Sequence, residues 1–348
     1  MPTSQHQKTN PNRQVRLKSR PTGIPQAEHF EIVEAPVAEP AEGQVVVRNL
    51  YLSVEPAMRG WVNSVGNYSE PVPVGAVMRS FTVGRVVASR SAAYKVGDVV
   101  AGMLGWQDYA VVDASAIERR VDEANGLPIS TALGVLGING LTAYFALLEV
   151  GQPKAGETVL VSTAAGSVGS CVGQIAKIQG CRTVGIAGGP VKTAQCVDEF
   201  GFDAAIDYRA NEGEQLDAAI AAACPQGIDV YFDNTAGAIS DAVLKHLAVG
   251  ARVVVCGTAS VASWNPPPQG PRVERHLLVK RARMQGFLIF DYADRYPEGM
   301  NALTGWLKDG LIRYREDVLD GMEAAPDAIA GLYRGENLGK RLIRLAAE

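Results

Sequence analysis

The sequence predicts an α/β protein, with a β-rich amino-terminal domain and a second domain built on a doubly wound parallel sheet. Three observations carry this. The chain has 348 residues, 47% of them hydrophobic, which is enough to bury two cores. Residues 28–110 hold short alternating or β-branched runs separated by Gly, Pro and Asp, the texture of antiparallel strands. From about residue 131, short apolar runs alternate with helix-length segments, the signature of βαβ units.

Taken in order, "QVVVRNLYLSV", "SFTVGRVVAS" and "VGDVVAGMLGWQDYAVVD" supply the first strands. The parallel sheet is predicted from strands at 157–162, 181–187, 204–208, 228–234, 251–257 and 284–290, with helices near 168–180, 191–200, 212–223, 238–249 and 273–282. After a helix near 294–309, the pattern returns to β in "LIRYREDVL" and "GKRLIRLAA", a tail suited to rejoin the first domain. The segment "ASWNPPPQGPR" (262–272) is Pro-rich and reads equally as a rigid linker or as a lid beyond a strand end.

A formal charge of −4 without a block of Lys and Arg argues against nucleic acid and anionic membrane surfaces as partners. No apolar run reaches the ~18 to 20 residues of a membrane span. The opening "MPTSQHQKTN" lacks the apolar stretch of a signal peptide, so a cytoplasmic location is expected. Five cysteines without a CxxC fit reduced thiols. The histidines (His6, His29, His246 and His276) are scattered, and residues 30–170 contain neither Cys nor paired His, so no metal site is expected.

Chemistry concentrates at "STAAGSVGSCVGQIAKIQG" (162–180), with glycines at 166, 169 and 173. It follows the apolar run "ETVLVS", and Val168, Cys171, Val172, Ile175 and Ala176 then recur at helical spacing. Strand, glycine turn and helix form the context in which backbone amides and a helix start receive a pyrophosphate. At the next strand end, "GIAGGPVK" offers no carboxylate for a free ribose 2′-hydroxyl, while Lys192 follows closely. This favours NADP(H) over NAD(H).

Several further segments carry a family resemblance: "NRQVRLKSRPTG", "NLYLSVEPAMRGW", "AAGSVGSCVGQIAKIQGCRTVGIAGG", "GFDAAIDY", "YFDNTAG", "RMQGF" and "ENLGKRLI". With these the chain resembles the zinc-independent medium-chain dehydrogenases/reductases, in the branch of NADPH-dependent alkenal and alkenone double-bond reductases. The resemblance implies a GroES-like catalytic domain (1–130), a Rossmann NADP-binding domain (131–306) and a returning segment (307–348). It implies pyrophosphate contacts from Gly166, Ser167, Val168 and Gly169, and adenosine-phosphate contacts from Lys192 and Tyr208. Other implied cofactor contacts are Asn234; Cys256, Gly257, Thr258, Ala259 and Ser260; Phe287, Leu288 and Ile289; and Asn337. A homodimer is implied as well. The chain departs from many members at Ala57, within Glu55-Pro56-Ala57-Met58-Arg59, and from some at Val279; both positions carry Tyr elsewhere.

The expected reaction is hydride transfer from NADPH to the β-carbon of a small α,β-unsaturated aldehyde or ketone. Negative charge then develops on the carbonyl oxygen, which calls for a donor. Tyr51 and Tyr68 are the candidate donors. Rival readings are a quinone reductase of the same superfamily and a non-catalytic NADPH-binding protein; an alcohol dehydrogenase is disfavoured, because that chemistry normally uses the zinc ligands missing here.

Overall fold

The computed structural model describes residues 11–64, 68–261 and 266–347; the opening segment 1–10, with His6, and the start of the Pro-rich segment at 262–265 lie outside them. The chain divides into two compact units. The first comprises residues 1–133, 318–336 and 341–348, and the second 134–317 and 337–340.

The first unit opens with an antiparallel pair, β1 (Asn12–Leu17) and β2 (Phe30–Ala35). Strand β3 (Gln44–Ser53) follows, then a single helical turn, α1 (Met58–Trp61), that buries Met58 and Trp61. Strands β4 (Thr82–Ser89), β5 (Val99–Gly102), β6 (Tyr109–Asp113) and β7 (Ile117–Arg120) complete its amino-terminal part. Inward-facing Val45, Val47, Val86, Val100 and Ile117 make a compact core, as alternation on a half-buried sheet dictates. The pairing of β3 with β4 slips between Asn49 and Tyr51. Gly84 stands opposite, where an added Cβ would lie 2.4 Å from the Arg48 carbonyl oxygen.

The second unit begins with a helix that the sequence pattern did not reveal, α2 (Ile138–Phe145), continued by a π turn over Ala146–Gly151. Arginines from the sheet meet its closing carbonyls. Arg252 donates to Gly151 at 2.9 Å and Gln152 at 2.8 Å, and Arg283 donates to Val150 at 2.9 Å, matching cations to the negative end of the helix dipole. The alternating elements are then β8 (Thr158–Ser162), α3 (Ser167–Ile178), β9 (Arg182–Ala187), α4 (Pro190–Ala194), β10 (Ala204–Asp207), α5 (Glu214–Ala223), β11 (Ile228–Asp233), α6 (Gly237–Val243), β12 (Leu247–Val255), α7 (Glu274–Lys280), β13 (Arg283–Gly286) and α8 (Tyr296–Lys308). Among the described residues, the sheet is parallel in the order β10-β9-β8-β11-β12-β13.

The tail contributes β14 (Glu316–Asp320), α9 (Ala325–Arg334) and β15 (Lys340–Arg344), completing the order β14-β15-β3-β4-β5-β7 with β6 also paired to β3. The fold class agrees with the sequence reading, while several boundaries do not. The strand expected at 284–290 stops at Gly286, and a 3-10 turn forms over Ile289–Arg295. The helix expected to run to 249 ends at Val243, because Leu247 already pairs with Ile228. The tail read as β contains α9, which buries Ala325, Ala328 and Ile329 at helical spacing.

Asp203 ties the layers of the second unit together. Its carboxylate accepts from Lys177 Nζ on α3 and from the Thr183 amide on β9, each at 2.7 Å. Burial alone would raise its pKa, but the Lys177 ammonium and the Thr183 amide outweigh burial and hold it below the ordinary carboxylate value. Such a group stabilises the fold above its unfolded pKa, near ~4, and that contribution is lost as pH falls through the lower folded pKa. Asp203→Asn is therefore expected to cost about 1 kcal/mol at neutral pH and to flatten the acid limb of a urea-denaturation series. Parallel pH profiles for the two proteins would remove this role.

Candidate dinucleotide site

The carboxyl ends of β8, β9, β11 and β12 carry most of the residues expected at the cofactor. The strand order reverses direction between β8 and β11, and such switch points leave a crevice for ligands. At the end of β8, Thr163 adopts φ +55°, and the Gly166 amide returns to the Thr163 carbonyl at 2.9 Å. Gly166 is the N-cap of α3 and has no side chain to cap it. The opening amides of the helix, at Ser167, Val168 and Gly169, therefore lack intrahelical acceptors and suit an anion.

Gly169 and Gly173 are packing requirements. A Cβ on Gly169 would sit 2.3 Å from the Thr163 oxygen, and one on Gly173 would sit 2.0 Å from the Phe202 ring. They let α3 lie close on the sheet.

At the end of β9, Gly188 performs a comparable service for side chains: a Cβ there would lie 2.9 Å from Tyr208 and 3.0 Å from Arg209 Nε. Lys192 stands one turn into α4, just beyond Gly189. The nearby carboxylate of Asp207 is committed to the backbone, accepting the Gly189 amide at 2.8 Å and the Arg209 amide at 2.9 Å. Arg209 lies with its guanidinium 6.0 Å from the Tyr208 ring centroid, which puts a cation and a phenol hydroxyl at the residues following β10. Sequence reasoning passed over Arg209, although it directly follows Tyr208.

Further along the strand ends, Asn234 donates through Nδ2 to the Ser162 carbonyl at 2.7 Å, and its own amide donates to Ser162 Oγ at 2.8 Å. The Cys256 and Gly257 amides donate to the Asp233 carbonyl, Ala259 to Asn234, and Ser260 to Thr235; Thr258 lies within the same segment. Burial, then the Asp233 charge, pushes the Cys256 thiol up to about 12, and a thiol held protonated is a weak nucleophile. Phe287 donates its amide to Val255 and stacks on Tyr292 with centroids 5.2 Å apart. Ile289 is buried beside it, whereas Leu288 is exposed. Asn337 closes a turn, donating to the Gly339 carbonyl at 2.8 Å.

The two tyrosines lie in the first unit. Tyr51 is buried on β3 opposite Arg344, whose guanidinium is raised chiefly by Asp320 with a smaller contribution from Tyr51. Tyr68 is exposed and acts electrostatically on Tyr333, the ring beneath the Arg59 guanidinium at 4.7 Å. Ala57 forms the N-cap of α1, and Val279 is exposed on α7. Among the described residues, no group of three or more His, Cys, Asp or Glu is placed to hold a metal, and no helix is long and apolar enough to cross a membrane.

The parallel sheet with a glycine turn at its switch point is the architecture of the dinucleotide-binding class. A family model described as the N-terminal domain of oxidoreductase matches residues 13–119, and one described as zinc-binding dehydrogenase matches residues 167–305. The chain is 44% identical to an NADPH-dependent curcumin reductase of Escherichia coli, over 97% of this chain and 98% of that protein. It is 39% identical to an NADP(+)-dependent 2-alkenal reductase of Nicotiana tabacum, again over 97% and 98%. CurA of Vibrio vulnificus, solved in complex with NADPH, superposes with a TM-score of 0.89 at 42% identity, over 97% of this chain and 100% of that one. The chain belongs to the medium-chain dehydrogenase/reductase family, in its zinc-independent branch of alkenal and alkenone double-bond reductases.

Proposed function

We propose that this protein reduces the C=C bond of α,β-unsaturated aldehydes or ketones with NADPH. The observation that carries the reading is full-length similarity to the 2-alkenal and curcumin reductases, joined to a strand-end site that fits a phosphate-bearing dinucleotide. The bound cofactor would supply a hydride to the β-carbon, and the resulting enolate would take its proton at the α-carbon from water or a Tyr hydroxyl. Residues 131–306 are proposed to hold it and residues 1–130, with 307–348, to receive the substrate. The pyrophosphate is assigned to Gly166, Ser167, Val168 and Gly169, and the 2′-phosphate to Lys192, Tyr208 and Arg209. Asn234, Cys256 to Ser260, Phe287 to Ile289 and Asn337 are proposed to line the remainder. NADPH oxidation should be rapid with enals and aryl enones and slow with quinones, and the product should be the saturated carbonyl compound. Recovery of an allylic alcohol, or turnover confined to quinones, would overturn the reading.

The phosphate assignment separates the two cofactors. Lys192→Ala and Arg209→Ala should each weaken NADPH by roughly 10-fold, the scale of a lost hydrogen bond to a charged group, with NADH almost unaffected. Equal losses for both cofactors in calorimetric titrations would remove the phosphate role.

Tyr51 and Tyr68 are proposed as donors to the developing enolate. A hydroxyl with that role contributes on the order of 10²-fold to kcat. Its Phe variant should lose that factor while keeping NADPH affinity; a Tyr51→Phe protein altered only in thermal stability would mark the Arg344 contact as the sole role of Tyr51. Native turnover in both variants would exclude both residues.

A homodimer is proposed through β13, which ends the sheet order with Leu278, Val279 and Phe290 exposed nearby. An apolar neighbourhood beside an open strand edge suits a second copy. Light scattering should report a dimer, and Leu278→Arg with Phe290→Arg should yield monomer; a dimer unaffected by the pair would move the interface elsewhere. A cytoplasmic location is proposed on the five free cysteines, with cell fractionation as the check.

A further inference from the structure

Asp233, the last residue of β11, is nearly fully buried, and neutral groups donate to its carboxylate. Oδ1 accepts the amides of Thr235 at 2.9 Å and Ala236 at 2.8 Å together with the Tyr231 hydroxyl at 3.0 Å. Oδ2 accepts Ser240 Oγ at 2.6 Å. A buried carboxylate is tolerated only when donors saturate it, and bonds to an ionised acceptor are the stronger kind.

Those bonds converge on an unfavourable backbone. Ala236 adopts φ +57° and ψ −163°, a region that is essentially reserved for glycine and persists only where its surroundings over-determine it. Gly237 follows at φ +62°, where a Cβ would lie 2.6 Å from Ser260 Oγ. Ser260 Oγ in turn lies 2.8 Å from the Thr235 carbonyl oxygen and 2.9 Å from that of Ala236. The turn therefore joins the ends of β8, β11 and β12 through Ser162, Asn234 and Ser260.

We propose that Asp233 is a positioning residue for the dinucleotide: its carboxylate holds the strained 234–237 turn and thereby sets Asn234 and the 256–260 segment in the geometry that receives the cofactor. This rests on the assignment of those residues to NADP(H) above. Asn at 233 retains one acceptor oxygen for the two turn amides. Its amide group donates to Ser240 Oγ, which can then donate to Tyr231, so the hydroxyl chain survives in reverse. Ala at 233 removes every acceptor.

The test is a double-mutant cycle between positions 233 and 236, read by NADPH titration and by thermal melting of the cofactor-free protein. Asp233→Ala should weaken NADPH by roughly 10- to 100-fold, the scale of losing bonds to a charged acceptor, and Asp233→Asn by less. Ala236→Gly, which relieves the turn, should be near neutral alone and should restore at least about 5-fold of affinity in the Asp233→Ala background; coupling of this size is expected of residues in one network. Ile220→Ala, in the sheet core, should lower the melting temperature without altering affinity. Native affinity in Asp233→Asn together with additive effects at 233 and 236 overturns the proposal, as does an equal affinity loss in Ile220→Ala. If Asp233→Ala does not fold, the cycle is run from Asp233→Asn, with additivity again as the overturning result. A native chain that fails to bind NADPH overturns the cofactor reading as well, and so is distinguishable from failure of the positioning role alone.

Discussion

The approach of α3 to the end of β8 is the constraint on which the second unit depends. A helix start can receive phosphate only if its first amides face open space, and it can belong to a packed sheet only if its next turn lies almost on the backbone. Gly166 meets the first condition by leaving the N-cap bare. Gly169 and Gly173 meet the second, since a methyl at either would collide with the Thr163 carbonyl or the Phe202 ring. In this variant fingerprint Ala164 stands where the common pattern has its first glycine, and the left-handed bend of the turn falls on Thr163.

What was legible in the sequence followed from interactions local in the chain. The β8, turn and α3 unit and the parallel sheet show themselves within a window of about 15 residues, through period and glycine. Features set by distant partners were not visible. Leu247 leaves the helical pattern because Ile228 pairs with it, and α9 was hidden in a short tail whose flanking segments both read as strand. Asp233 was part of a recognised motif, yet its role depends on hydroxyls at 231 and 240 and on the conformation of Ala236, which spacing alone does not disclose. Arg209, proposed above for the 2′-phosphate, did not stand out in the sequence, because a single cation after an aromatic residue has no pattern of its own.

Cofactor and substrate recognition place different demands on a chain. A dinucleotide is the same molecule throughout a family, so its contacts can be built into strand ends and locked by hydrogen bonds, as at Asp207 and Asp233. An acceptor differs from one member to the next, so the residues that meet it gain from being replaceable. In the amino-terminal unit Ala57 stands at the N-cap of the single turn α1, while Met58 and Trp61 anchor that turn in the core. Tyr can be exchanged for Ala there without loss of the anchors, because the residues that fix the backbone are not the residue that varies.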